Sequence, residues 1–203
     1  MTAQPKQYIT EQEYIEFERA SATKHEYYAG QIYAMTGASR THNLIAGNTL
    51  ASLHTQLRRK PCQIFPSDMR VKIQKTGLHT YPDLVIICGE PQFTDDALDT
   101  LINPIVLIEI LSPSTERYDR GMKSQHYRTI ETLQDYILIE QDHYHIEYYS
   151  RQGNGQWLLQ EATGIEARIT IPSIGSTLLL EDVYEKVDIM PENLSISRAP
   201  PPA

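Results

Sequence analysis

Leu84-Val-Ile-Ile-Cys88 and Ile105-Val-Leu-Ile-Glu-Ile-Leu111 decide how this chain folds. Both are near-continuous apolar runs rich in β-branched residues, as strands covered on both faces are. Two such strands place the chain in the α/β class, with a central mixed sheet of four or five strands. Each run also carries an acid: Asp83 stands at the entrance to the first, after Pro82, and Glu109 lies inside the second. An acid in an apolar strand costs several kcal/mol unless it is paired or bound to a metal. Two carboxylates plus water make an ordinary shell for magnesium. The plainer alternative is a strand acid paired with a buried arginine or capping a loop.

Outward from these strands the pattern alternates. Thr10 reads as a helix N-cap, with Glu13 in the capping-box position and a helix running to about Ala20. Lys24–Tyr28 and Gln31–Met35 read as two short strands around Ala29-Gly30. Leu44, Ile45, Leu50, Leu53 and Leu57 recur at helical spacing, so Thr41–Lys60 is expected to be the longest helix, stopped by Pro61. Further strands are expected at Cys62–Phe65, Met69–Ile73, Tyr136–Glu140, Ile146–Ser150 and Trp157–Glu161. Helices are expected at Asp119–Glu131 and Glu181–Lys186. A parallel crossover would bring the acid-bearing strand ends together. Residues 1–190 are read as one domain, and 191–203, ending Ala199-Pro-Pro-Pro-Ala203, as a disordered tail.

Composition narrows the classes. The chain has 203 residues, 40% hydrophobic and 22% charged, which fits a globular domain and not a disordered one. Two cysteines, Cys62 and Cys88, are too few for a disulfide scaffold or a zinc ribbon. No apolar run is long enough to span a membrane, and the N-terminus lacks the apolar core of a signal peptide, so a cytoplasmic location is expected. A net charge of −8 argues against tight, nonspecific binding to polyanions. No phosphate-cradling glycine loop occurs, and Ser112 and Ser114 lack a nucleophile elbow. His42 and His54 read as surface or packing histidines. His143 and His145 read as one strand face without a clear cage of acids.

Asp119, Lys123 and Tyr127 are spaced to share one helix face. That face could turn toward the Glu109 strand, where an ammonium would orient water or offset charge on a phosphate. The plainer reading is an Asp119–Lys123 surface pair, with Lys123 on an exposed helix.

Tyr81-Pro-Asp-Leu-Val-Ile86, Val106-Leu-Ile-Glu-Ile-Leu-Ser-Pro-Ser-Thr115 and Asp119-Arg-Gly-x-Lys123 with Tyr127-Arg128 resemble the Uma-type family of restriction-endonuclease-like proteins. That family lies within the PD-(D/E)XK nuclease superfamily. The resemblance extends to Glu26, Gly30, His42, Asp68 and Asp135-Tyr136. It implies a restriction-endonuclease-like core and a metal-dependent endonuclease acting on nucleic acid, with DNA as the expected substrate. Asp83 and Glu109 match the two acids of the superfamily pattern, and Glu26 matches a further metal ligand. The usual lysine position, two residues after the second acid, is Leu111. Lys123 fits the migrated lysine found in relatives. The resemblance therefore implies Asp83, Glu109 and Lys123 as catalytic residues and Mg2+, with Mn2+ as the substitute, as cofactor. Substrate contacts are expected from Ser112, Arg120 and Arg128, in a homodimer. The Leu111 departure leaves open a rival of another class, a silent interaction module on the nuclease fold; an RNA nuclease is a third reading.

Overall fold

The computed structural model describes residues 8–189; the expected tail at 191–203 lies outside the described residues. Chain order runs α1 (Glu11–Ala20), β1 (His25–Tyr28), β2 (Gln31–Ala34), α2 (Arg40–Leu57), β3 (Cys62–Pro66), β4 (Arg70–Ile73), β5 (Leu78–Thr80), β6 (Leu84–Cys88), β7 (Thr100–Leu101) and β8 (Val106–Ile110). Next come α3 (Glu116–Tyr118), a π-helical turn (Asp119–Lys123) and α4 (Ser124–Tyr127). The strands β9 (Asp135–Ile139), β10 (His145–Arg151), β11 (Trp157–Thr163), β12 (Arg168–Ile171) and β13 (Ser176–Leu179) follow, and α5 (Leu180–Val183) closes the order.

The central sheet has six strands, ordered β11-β10-β9-β8-β6-β3, one more than the expected maximum. A second sheet, β2-β1-β5-β4-β7, and the hairpin β12-β13 complete the mixed α/β architecture. The two acid-bearing strands are neighbours, but they pair antiparallel, with Leu84 opposite Ile108 and Ile86 opposite Val106. The parallel neighbour of β8 is β9, reached through the helical segment. The expected parallel crossover between the acid-bearing strands is thus corrected. Asp83 enters β6 where Glu109 leaves β8, and antiparallel pairing alone brings those ends together.

All five residues of β8 are buried. Strand side chains alternate between faces. Val106, Ile108 and Ile110 accordingly join Ile45, Leu53 and Leu57 of α2 in one core. Leu107 and Leu111 join Val85, Tyr127, Tyr136 and Leu138 in the other. Glu109 shares the face of Leu107 and Leu111. Helix α2 buries Ile45, Thr49, Leu53 and Leu57 as a stripe, each apolar member contributing about 1.5–3 kcal/mol. Its N-cap is Ser39, whose side chain accepts the His42 N–H at 3.0 Å. Helix α1 begins with the expected capping box: Thr10 Oγ1 accepts the Glu13 N–H, and Glu13 Oε2 accepts the Thr10 N–H at 2.7 Å.

Several elements differ from the sequence expectation. The single helix expected over Asp119–Glu131 is a broken segment ending at Tyr127, with five residues in a π turn. Glu181–Lys186 shortens to Leu180–Val183 because Tyr184 turns its hydroxyl onto the Glu140 and His145 carbonyls, both at 2.9 Å. Cys62 and Cys88, directly opposite in the β3–β6 register, form a disulfide. Among the described residues, no helix is long and apolar enough to cross a membrane.

Candidate active site

At the β6–β8 junction the acids are close neighbours. Asp83 Oδ2 accepts the backbone N–H of Ile110, the residue after Glu109, at 2.7 Å. The same oxygen lies 3.1 Å from His42 Nε2. Glu109 Oε1 is ion-paired with Lys123 Nζ at 2.8 Å and accepts from the Tyr127 hydroxyl at 2.6 Å. Glu109 is 4% exposed. Burial pushes its carboxyl up to about 8; the Lys123 ammonium opposes this, while Asp119 and Asp83 add to it.

Lys123 ends the π turn, so its ammonium is delivered to the β8 face by an irregular stretch of helix. Besides Glu109 it meets Asp119 Oδ1 at 3.3 Å and Glu26 Oε1 at 3.5 Å. The Tyr118 and Tyr127 rings lie 5.8 and 5.9 Å from Nζ. The expectation of an exposed lysine is corrected: Lys123 is 5% exposed. Burial alone would lower its pKa, but Glu109, Tyr127, Asp119 and Glu26 together hold it well above the usual lysine range. Glu26 sits on β1, where Thr80 of β5 donates its hydroxyl to Glu26 Oε1. Leu111, in the position where the superfamily keeps lysine, is 3% exposed and packs in the core beside Tyr127 and Leu138. A leucine there leaves the cationic role to a residue from outside the strand.

Glu26, Asp83, Glu109 and Lys123 line one cleft of about 1050 Å³, together with His42, Ser112, Tyr118 and Asp119. Its wall carries two ammonium groups, Lys24 and Lys123, against five carboxylates, Glu26, Asp68, Asp83, Glu109 and Asp119. Asp83 Oδ1 and Glu109 Oε2 make no hydrogen bond among the described residues, and neither is a buried unpaired atom. Two hard oxygens, on residues that both line the cleft, suit a divalent cation that keeps much of its water. They do not form a closed cage. Among the described residues, the groups whose ligand atoms lie mutually within 4.8 Å are Glu140–His145–Glu147 and Glu140–Asp142–His143. None of these lines the cleft. His143 precedes β10 rather than sharing its face with His145.

The expected substrate residues separate. Ser112 lines the cleft, its Oγ 3.0 Å from Ser114 Oγ and 2.9 Å from Thr115 Oγ1. Arg120 lies outside it, ion-paired with Glu116, Glu140 and Glu147. Arg128 is outside as well, its Nε directed to the Ser124 carbonyl at 3.3 Å. Sequence reasoning read His42 as a surface or packing histidine, placed Tyr127 on the Lys123 face without a role in the site, and passed over Thr80. His42 had a legible signal, because it stands one turn ahead of Ile45 on the buried stripe of α2. Thr80 had none, because β5 is three residues long.

Residues 11–180 match the Uma2 family, described as "Putative restriction endonuclease". "Uncharacterized protein sll1609" of Synechocystis sp. is 38% identical over 161 residues, covering 79% of this chain and 91% of that protein. "Uncharacterized protein slr1290" of the same organism is 33% identical over 176 residues, covering 87% and 91%. A crystal structure titled as a putative nuclease belonging to DUF820 from Anabaena variabilis superimposes with a TM-score of 0.71. At 18% identity it covers 87% of this chain and 97% of the other, which shows the restriction-endonuclease-like fold. On its matched residues and on its curated relatives, the chain belongs to the Uma2 family of restriction-endonuclease-like proteins.

Proposed function

We propose that this protein hydrolyses nucleic-acid phosphodiesters, with DNA as substrate, using a divalent cation, magnesium or manganese, held by Asp83 and Glu109 with Glu26 assisting. The observation that carries this reading is the meeting of two strand carboxylates and one buried lysine in a single solvent-open cleft. The cation would supply Lewis acidity and a lowered water pKa. The chain's own residues do the rest. Asp83 is held in place by the Ile110 amide. Burial pushes the Glu109 carboxyl up to about 8, so Glu109 would have to give up a proton to serve as a ligand at neutral pH, and the cation's charge would favour that loss. With Glu109 engaged, Lys123 retains Asp119 and can turn an N–H toward water or a phosphate oxygen. Ser112 offers a hydroxyl at the wall of the same cleft. Arg120 and Arg128, outside the cleft, could touch only substrate that extends beyond it.

The test is cleavage of plasmid DNA, and of RNA of matched sequence, with Mg2+ or Mn2+. The parent should cut DNA, and Glu109→Gln should not. A homodimer is proposed with it, since cutting both strands needs two sites or rebinding; sedimentation showing only monomer at micromolar concentration would count against that. The rival reading is a silent interaction module, favoured by the three carboxylates around Lys123 and the acidic balance of the cleft. Failure to cut either polymer with either cation would favour it.

A further inference from the structure

We infer that His42 is a positioning residue that fixes the orientation of Asp83 for cation binding; this rests on the metal-site reading above. Asp83 Oδ2 already accepts the Ile110 N–H at 2.7 Å, so it acts as an acceptor. An ionised carboxylate only accepts, which assigns His42 Nε2, 3.1 Å from the same oxygen, as the donor. Two donors converging on Oδ2 fix the plane of the carboxylate and leave Oδ1 as its only free oxygen.

Three features say that this contact is built rather than incidental. His42 Nδ1 is buried and has no hydrogen-bond partner. A buried unpaired nitrogen is a cost that an apolar residue on this helix stripe would avoid. The backbone of His42 is tied to the same strand ends as its ring. Its N–H reaches Ser39 Oγ, which donates to Gln141 Oε1 at 2.7 Å, and Gln141 Nε2 donates to the Leu111 carbonyl at 2.6 Å. The first turn of α2 is thus anchored to the end of β8 that carries Glu109. The third feature is place: His42 and Asp83 both line the cleft. Carboxylates that hold metals are themselves hydrogen-bonded, and loss of such a partner typically weakens binding about 10–100-fold.

The experiment measures Mn2+ affinity by calorimetry on the full chain. His42→Phe keeps a ring but removes the donor, and His42→Leu is a second donor-free variant should the first fail to fold. His42→Gln places an amide N–H where Nε2 stands. His42→Phe or His42→Leu should bind Mn2+ about 10–100-fold more weakly, and His42→Gln should recover most of the loss, a rescue that a packing role would not produce. Asp83→Asn serves as the control. If Asp83→Asn loses Mn2+ while the donor-free variants bind like the parent, His42 does not position Asp83 and the inference is overturned alone. If His42→Gln is as weak as His42→Phe, the hydrogen bond is not what matters and the inference again fails. If neither Asp83→Asn nor Glu109→Gln alters Mn2+ binding, the metal-site reading falls, and this inference falls with it.

Discussion

Lys123 and Arg120 stand three residues apart, and each gathers three carboxylates, in opposite surroundings. Arg120 meets Glu147 at 2.7 Å, Glu116 at 3.0 Å and Glu140, with its side chain 31% exposed. A planar guanidinium matches several carboxylates at once, and nearby solvent screens what is left over. Lys123 meets Glu109, Asp119 and Glu26 at 5% exposure. An ammonium is a point charge, and here one such charge is set against two buried acids, Glu109 and Asp119, and the half-buried Glu26. Glu109 shows the consequence: burial pushes its carboxyl up to about 8, and Asp119 and Asp83 add to the shift that Lys123 opposes. The comparison separates an acid cluster that a guanidinium shares with nearby water from one shut away from water, where a further cation would meet poorly solvated carboxylates.

The largest expected effect breaks the comparison outright. Lys123→Ala leaves the buried carboxyl groups of Glu109 and Asp119 without their cation, and it should cost about 3–5 kcal/mol in urea unfolding. Arg120→Ala, in a cluster open to water, should cost about 1 kcal/mol. Equal losses would mean that the two clusters do the same job.

A smaller effect sharpens it. Mn2+ at a hundred times its Kd should stabilise the parent by about 2.7 kcal/mol. Glu109→Gln should abolish that shift in melting temperature, and Glu140→Gln should leave it intact. The pH dependence has a definite sign. The folded carboxyl of Glu109 lies above its ordinary value of 4.5, at about 8, so its contribution to the stability of the cation-free protein is complete below about 4.5 and is lost as pH rises toward 8. Cation binding runs the other way. Below pH about 8 the ion must displace that proton, so affinity should fall about tenfold per pH unit and level off above it. Calorimetry across pH checks this, and a flat profile would place the proton elsewhere.

The smallest effect compares two tyrosines. Tyr127 donates to Glu109 inside the protein at 2.6 Å, and Tyr149 donates to Glu147 in the part-buried cluster at 2.8 Å. Tyr127→Phe should cost about 1 kcal/mol and move the pH midpoint of cation binding upward, because Glu109 loses a donor to its charged form. Tyr149→Phe should cost less and leave that midpoint alone.

Much of this was legible in particular residues. The near-continuous apolar character and β-branching of Leu84–Cys88 and Ile105–Leu111 predict buried strands, because a strand covered on both faces can hold little else. The cap at Thr10 and the stripe of α2 are local consequences of side-chain chemistry. The acids at 83 and 109 stand out because an apolar run makes a carboxylate costly. β5 and β7 were not legible, because three and two residues are too short for a period to register, and β12 and β13 were missed as well.

By itself, then, the sequence determined the α/β class, the two central strands and the identity of the anomalous acids, since all three follow from residue type and period along the chain. Only the tertiary structure decided how those acids meet. Antiparallel pairing of β6 with β8, a π turn that carries Lys123 inward and the placing of His42 against Asp83 are all long-range facts. Strand direction and helix register depend on which surfaces pack best across the whole molecule. No local window of sequence contains the partner that settles that choice.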